Sequence, residues 1–173
     1  ESSELNVAPM FDGIFNTYAE APAVAIGGGQ VVISRIREHY IPQPYETAYT
    51  LQQTAATLDG AWPDNPTGVF SSYYTFAHQE DLRHPALTID AKGNAISTFA
   101  YNAKTADAGV YYSRKAAAGT WQYATKIPNS TLPDNGPTVV ADGDGAMAVW
   151  AHYDTAAAKY SVVVSRYTKA KQF

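Results

Sequence analysis

Residues 84–121 read HPALTIDAKGNAISTFAYNAKTADAGVYYSRKAAAGTW, and residues 136–173 read GPTVVADGDGAMAVWAHYDTAAAKYSVVVSRYTKAKQF. The second stretch repeats the first. Pro85 matches Pro137, Asp90 matches Asp142, Gly93 matches Gly145, Ser113-Arg114 matches Ser165-Arg166, and Trp121 matches Phe173, each 52 positions on. A more diverged copy lies upstream. There Pro22 to Ile36 parallels Pro85 to Phe99, and Tyr49 to Trp62 parallels Val110 to Trp121. The proline-to-proline steps are 63 and 52 residues. A period of about fifty, at four strands per copy, is that of propeller blades.

Each copy carries the same strand signals. A short apolar strand A follows the proline (Ala23 to Ile26, Ala86 to Ile89, Thr138 to Ala141). A turn of Gly, Asp and Asn leads to strand B (Gln30 to Glu38, Ala95 to Tyr101, Ala146 to Tyr153). Strand C is Glu46 to Thr54, Gly109 to Lys115 or Tyr160 to Thr168, and a glycine-containing turn then brings Trp62, Trp121 or Phe173. Strand D begins there, as in Trp121 to Ile127. Proline and glycine spacing leaves no window for an amphipathic helix.

The expected fold is therefore all-β, a propeller of three four-stranded blades in one repeat domain, 1–173. The blades span about 22–76, 85–128 and 137–173. The last copy stops where its strand D should start, and residues 1–21 are left over at the head. From Phe173 round to Pro22 is 22 steps, against 23 from Trp62 to Pro85. A strand of residues 4–11, from the same or a partner chain, has the right length to complete the third blade. Propellers typically use about 4 to 8 blades. Either two copies share a six-bladed ring about a two-fold axis, or the chain is part of a larger propeller.

Composition bounds the function. Of 173 residues, 46% are hydrophobic, enough for a core, and only 16% are charged, below the usual quarter. Polar duty falls on Thr, Ser, Asn, Gln and thirteen Tyr, which favours half-buried strands. The net charge of −4, with no basic block, excludes phosphate-neutralising contact with nucleic acid. Cysteine is absent, so disulfides, thiolate zinc sites and cysteine nucleophiles are excluded. No apolar run reaches the ~20 residues of a membrane span. A start at Glu1, without Met, is expected of a mature exported protein, and equally of a trimmed or partial chain.

The pattern P-x-V-x-x-D-x-x-G-N-A-x-x-x-W, then S-R-Y, then G-x-W, resembles the tandem repeats of exported bacterial β-propellers. Here it is carried by Pro85, Asp90, Gly93, Asn94, Ala95, Phe99, Ser113, Arg114, Gly119 and Trp121. It recurs as Pro137, Asp142, Gly145, Ala146, Trp150, Ser165, Arg166, Tyr167 and Phe173. The resemblance implies a secreted, periplasmic or surface location. Asp59-Gly-Ala-Trp62 and Ala118-Gly-Thr-Trp121 are also similar to the Asp-boxes of sialidase-type propellers, one residue short and, in the second, without the Asp. These motifs indicate a fold, and a fold does not give a function.

Candidate chemistry is sparse. Trp62, Trp121, Phe173, Phe99 and Trp150 recur at matched places, which predicts core between sheets rather than sugar platforms. Arg114 and Arg166 have the geometry to clamp a carboxylate, but their matched places beside Ser predict structural pairing. The five arginines are scattered over the repeats, against a sialidase, which gathers arginines on one carboxylate. Asp142-Gly-Asp144-Gly145 is a fragment of a calcium loop lacking the later ligands, so Asp142 and Asp144 are a weak metal candidate and a tight turn is expected. Gly27-Gly28-Gly29 has no following helix or Lys and reads as a flexible turn rather than a phosphate loop.

The D-to-A and B-to-C connections of a propeller share one face of the disc. That predicts a common rim of His39, Tyr40, Asp81, Arg83, His84, Tyr101, Asn102, His152, Tyr153 and Asp154. Tyr, Asn and Asp suit sugars, having flat apolar faces and hydrogen-bonding edges. The expected function is non-catalytic binding of a glycan or surface polymer on this rim, with no cofactor and a second copy as partner. The alternatives are a glycoside hydrolase or lyase using acids among Glu38, Glu46, Glu80, Asp81 and Asp154, or a structural assembly module.

Overall fold

A computed structural model of the chain describes residues 17–41, 46–61, 67–74, 81–131, 135–168 and 172–173. The described residues form eleven strands and no helix: β1 (Thr17–Gly27), β2 (Gln30–Ile41), β3 (Glu46–Thr57), β4 (Thr67–Tyr74), β5 (Asp81–Ile89), β6 (Ala95–Asn102), β7 (Gly109–Lys115), β8 (Thr125–Lys126), β9 (Asn135–Asp142), β10 (Gly145–Asp154) and β11 (Lys159–Tyr167). They make three antiparallel sheets, ordered β1-β2-β3-β4, β5-β6-β7-β8 and β11-β10-β9. The all-β expectation holds. The proposed head strand, residues 4–11, and Trp62 lie outside the described residues.

Every sheet starts on a strand interrupted at its proline. The β1–β2 register shifts between Glu20 and Ala23, the β5–β6 register between Arg83 and Ala86, and the β10–β9 register between Val149 and Ala151. Pro22, Pro85 and Pro137 cause this, because proline has no N–H for the ladder and is accommodated at a bulge. Pairing resumes beyond each bulge. The first strand of each sheet is therefore longer than the short apolar run after the proline.

The fourth strand of the second sheet is shorter than Trp121 to Ile127. It is the two-residue β8, and Trp121 makes only an isolated bridge to Lys115. Side chains replace the missing ladder. Val110 N–H donates to Ser130 Oγ at 3.0 Å, and the Ser113 hydroxyl donates to the Gln122 carbonyl at 2.6 Å.

Alternation along the strands makes two cores. Between the first and second sheets lie Ile36, Leu51, Val69, Phe70, Phe99 and Tyr111. Phe70 sits 5.3 Å from Phe99 and 5.0 Å from Tyr111, ring centre to ring centre, which suits aromatic packing. Between the second and third sheets lie Val110, Tyr112, Ile127, Val139, Trp150 and Tyr167. A smaller cluster of Val32, Ile89 and Ala95 joins β2 of the first sheet to β5 and β6 of the second. At the centre, β5 packs against both β1 and β9.

Candidate functional site

The two ends of the sheets differ. One end carries the β1–β2, β5–β6 and β9–β10 turns. In the second sheet that turn is fixed by Asp90. Its carboxylate accepts the Lys92 and Asn94 N–H groups, both at 2.9 Å, and the Asn94 side-chain amide at 2.8 Å. Asn94 Oδ1 in turn accepts the Ala117 N–H at 3.1 Å, tying the β5–β6 turn to the β7–β8 turn. Asp90 is thus a turn residue, its oxygens occupied by its own loop.

A cavity of about 210 Å3 opens between this turn and its repeat on the third sheet, lined by Thr88, Asp90, Lys92, Arg114, Asp144 and Tyr167 among others. Its charged groups are taken up by groups of the protein. Lys92 binds Asp144, which holds its ammonium above the usual lysine range. Arg114 donates to the Tyr167 hydroxyl and lies 5.6 Å from the centre of that ring. Outside the cavity's lining, Arg166 meets Asp142 at 2.6 Å. The two arginines therefore have structural partners. Asp142 and Asp144 each hold a cation side chain, and no group of three metal-ligating side chains occurs among the described residues. Sequence reasoning passed over this cavity, because its walls come from two copies of one turn motif that reads as a turn in each.

At the opposite end lie the sequence-predicted rim residues. All of them sit inside strands, including those expected in the connections. His39 and Tyr40 belong to β2, Asp81, Arg83 and His84 to β5, Tyr101 and Asn102 to β6, and His152, Tyr153 and Asp154 to β10. The ladders run on past the proline bulges and carry these residues with them. Asp81 pairs with Asn102, and Thr17 with His39. Tyr101 is buried, whereas Arg83 and His84 are exposed. Tyr153 packs on Tyr160, ring centres 4.9 Å apart, and Asp154 Oδ1 accepts the Ala156 and Ala157 N–H groups at 2.9 and 3.0 Å. Asp154 is thereby a turn residue as well. The register keeps Asp81, Arg83, Tyr101 and Asn102 together on neighbouring rungs, with His84 in the bulge beside them.

His84 has a φ of 52°. A left-handed non-glycine residue directly before a proline is strained, and such strain persists only where its surroundings enforce it. Glu38 lies one rung from His39, half-buried, opposite Tyr18. Glu80 and His78 lie outside the described residues. The matched aromatics stay in the core: Phe99 and Trp150 are buried, and Trp121 and Phe173 pack against the clusters.

No protein-family model matches the chain, and no curated protein matches it in sequence. Among solved structures, a GH43 endo-arabinanase from Bacillus licheniformis matches with a TM-score of 0.46 and 18% identity, over 86% of this chain and 51% of that one. The chain thus spans about half the length of that protein. The matched protein is by name an enzyme, which runs against the expectation here of a non-catalytic binding protein and the leaning against catalysis. No helix among the described residues is long and apolar enough to cross a membrane.

Proposed function

We propose that the chain belongs to a glycoside hydrolase, or a lyase, built on a β-propeller whose blades are the three sheets. The observation that carries this is a pair of carboxylate positions, Glu38 on β2 and Asp81 on β5, at the same end of neighbouring sheets. Glu38 alternates with Val32, Ser34 and Ile36, the face of β2 that packs towards the second sheet. The Ser34 hydroxyl lies 3.2 Å from that of Ser97 on β6, which fixes the direction of that face. Asp81 opens β5, the strand that packs against β1 and β2. Glu38 is opposite the start of β1 and Asp81 opposite the end of β6, so both positions belong to the same end of their sheets.

Cleavage of a glycosidic bond needs two carboxyl groups about 5 to 9.5 Å apart. One protonates the leaving oxygen. The other attacks the anomeric carbon or activates a water, and the separation decides between retention and inversion. At the same end of the sheets, the positions of His39, Tyr40, Arg83, Asn102, His152 and Tyr153 bring residue types whose flat faces and hydrogen-bonding edges suit sugar rings. The strained His84 at the β5 bulge supports a functional rather than a structural end. Work on a polysaccharide implies a secreted, periplasmic or surface protein, and closing the ring takes either a second copy or further blades.

The test is reducing-end release from a polysaccharide panel that starts with linear arabinan. Glu38→Gln and Asp81→Asn are each expected to slow turnover by about 10²–10⁴-fold with unchanged circular dichroism. Wild-type rates in both variants, or no turnover on any polysaccharide, would sink the assignment.

A further inference from the structure

The two outermost sheet faces are halves of an interface that the molecule already uses twice. Val110 and Tyr112 of β7 are buried, 0% and 4% exposed, under the third sheet. Their partners in the 52-residue repeat are Val162 and Val164 of β11, which are 74% and 55% exposed. Val164 pairs with Val149 and Val162 with Ala151, while Met147 pairs with Val140, itself exposed. The outer face of the third sheet is thus a broad apolar surface with the chemistry of an inter-sheet core.

The outer face of the first sheet is complementary to it. Leu87 and Ile89 of β5 pack into the cluster that joins sheets one and two. Their repeat partners, 63 residues upstream, are Val24 and Ile26 of β1, which are 57% and 65% exposed. One end therefore shows the face that covers, and the other the face that is covered.

A difference between the copies fits the same pairing. Counting four residues on from the rung opposite Ile26, Ile89 and Ala141 gives Arg35, Phe99 and Trp150. Phe99 packs on Phe70 of β4, the fourth strand of the sheet next to it. The third sheet has no fourth strand among the described residues. Arg35, whose Nε donates to Gln52 Oε1 at 3.2 Å, stands at the equivalent place in the first sheet, next to the buried Ile36 and so on the opposite face of β2. A guanidinium there keeps its charged tip towards water while its stem lies on apolar surface.

We propose that the outer face of the third sheet docks on the outer face of the first sheet of a second copy of this chain, twice over, about a two-fold axis. The proposal rests on the propeller reading above. Continuity with the two internal interfaces selects the occupant, because each bare face has its own complement at the other end of the same chain. Large exposed apolar patches on a soluble domain mark such contacts.

The experiment is solution mass by light scattering on the wild type, Val162→Asp and Ile26→Asp. Both side chains are exposed within one chain, so each variant is expected to fold. The wild type is expected at about twice 18.7 kDa. Each variant is expected to be monomeric, its dissociation constant raised at least about a hundredfold by an unpaired buried charge. A wild-type monomer at tens of micromolar, or a dimer untouched by both substitutions, would overturn the proposal. Polysaccharide turnover measured on the same samples separates the two claims. A monomer with activity removes the docking and leaves the enzyme, whereas a dimer without turnover does the reverse.

Discussion

Tyr111 shows how one residue ties packing to pH. Its ring fills the core against Phe70 and Phe99, and its hydroxyl donates to the Asp107 carbonyl at 2.7 Å. Burial first, then the Asp107 charge and Tyr123, push its phenol above the ordinary value. The folded chain consequently holds this proton longer than the unfolded chain does. Stability from this source is complete below the ordinary tyrosine value of about 10 and is lost as pH climbs through the raised one. Tyr111→Phe is expected to cost about 1 kcal/mol at neutral pH, for the hydrogen bond. The same variant should flatten the fall in stability above about pH 10. Urea midpoints at pH 7, 9 and 11 check both, and an equally steep alkaline fall in the variant would refute the assignment to Tyr111.

At the scale of the element, the hairpin turns set how closely the sheets approach. Gly28 has a φ of 54°, and a Cβ there would overlap the backbone of Gly93 in the neighbouring β5–β6 turn. The run Gly27-Gly28-Gly29 is therefore a contact surface between two sheets as well as a loose turn. Gly28→Ala is expected to destabilise the fold by about 1–3 kcal/mol, from strain and overpacking together. Gly29 also lies at positive φ but with open space around it, so Gly29→Ala should cost less. Chemical denaturation of the two variants decides this, and equal costs would show that backbone strain alone matters. The repeated bulges at Pro22, Pro85 and Pro137 act at the same scale, each resetting the register so that the strand end points its residues anew.

For the whole molecule, the ring proposal has a thermodynamic consequence. If association covers Val162 and Val164, unfolding releases two chains and the melting temperature must rise with protein concentration. A scan over a hundredfold range of concentration is expected to show that rise in the wild type and none in Val162→Asp. A flat wild-type series would count against docking through this face.

The copies written into the chain determined the strands and their order. Proline, an apolar run, an Asp/Gly turn and a Ser-Arg pair recur at fixed distances, and hairpin pairing is local enough to follow from them. The aromatics at matched positions were legible as core for the same reason. What only the tertiary structure decided concerns contacts between copies. Arg114 on Tyr167 and Lys92 on Asp144 join residues 53 and 52 positions apart, and no local pattern marks them as pairs. His39, Asp81, Arg83 and Asn102 lie in ladders rather than in connections because the hydrogen bonds reach past a proline bulge, which the proline itself conceals. The exposure of Val162 beside the burial of Val110 was equally hidden, since identical side chains at equivalent places differ only in whether another sheet lies above them.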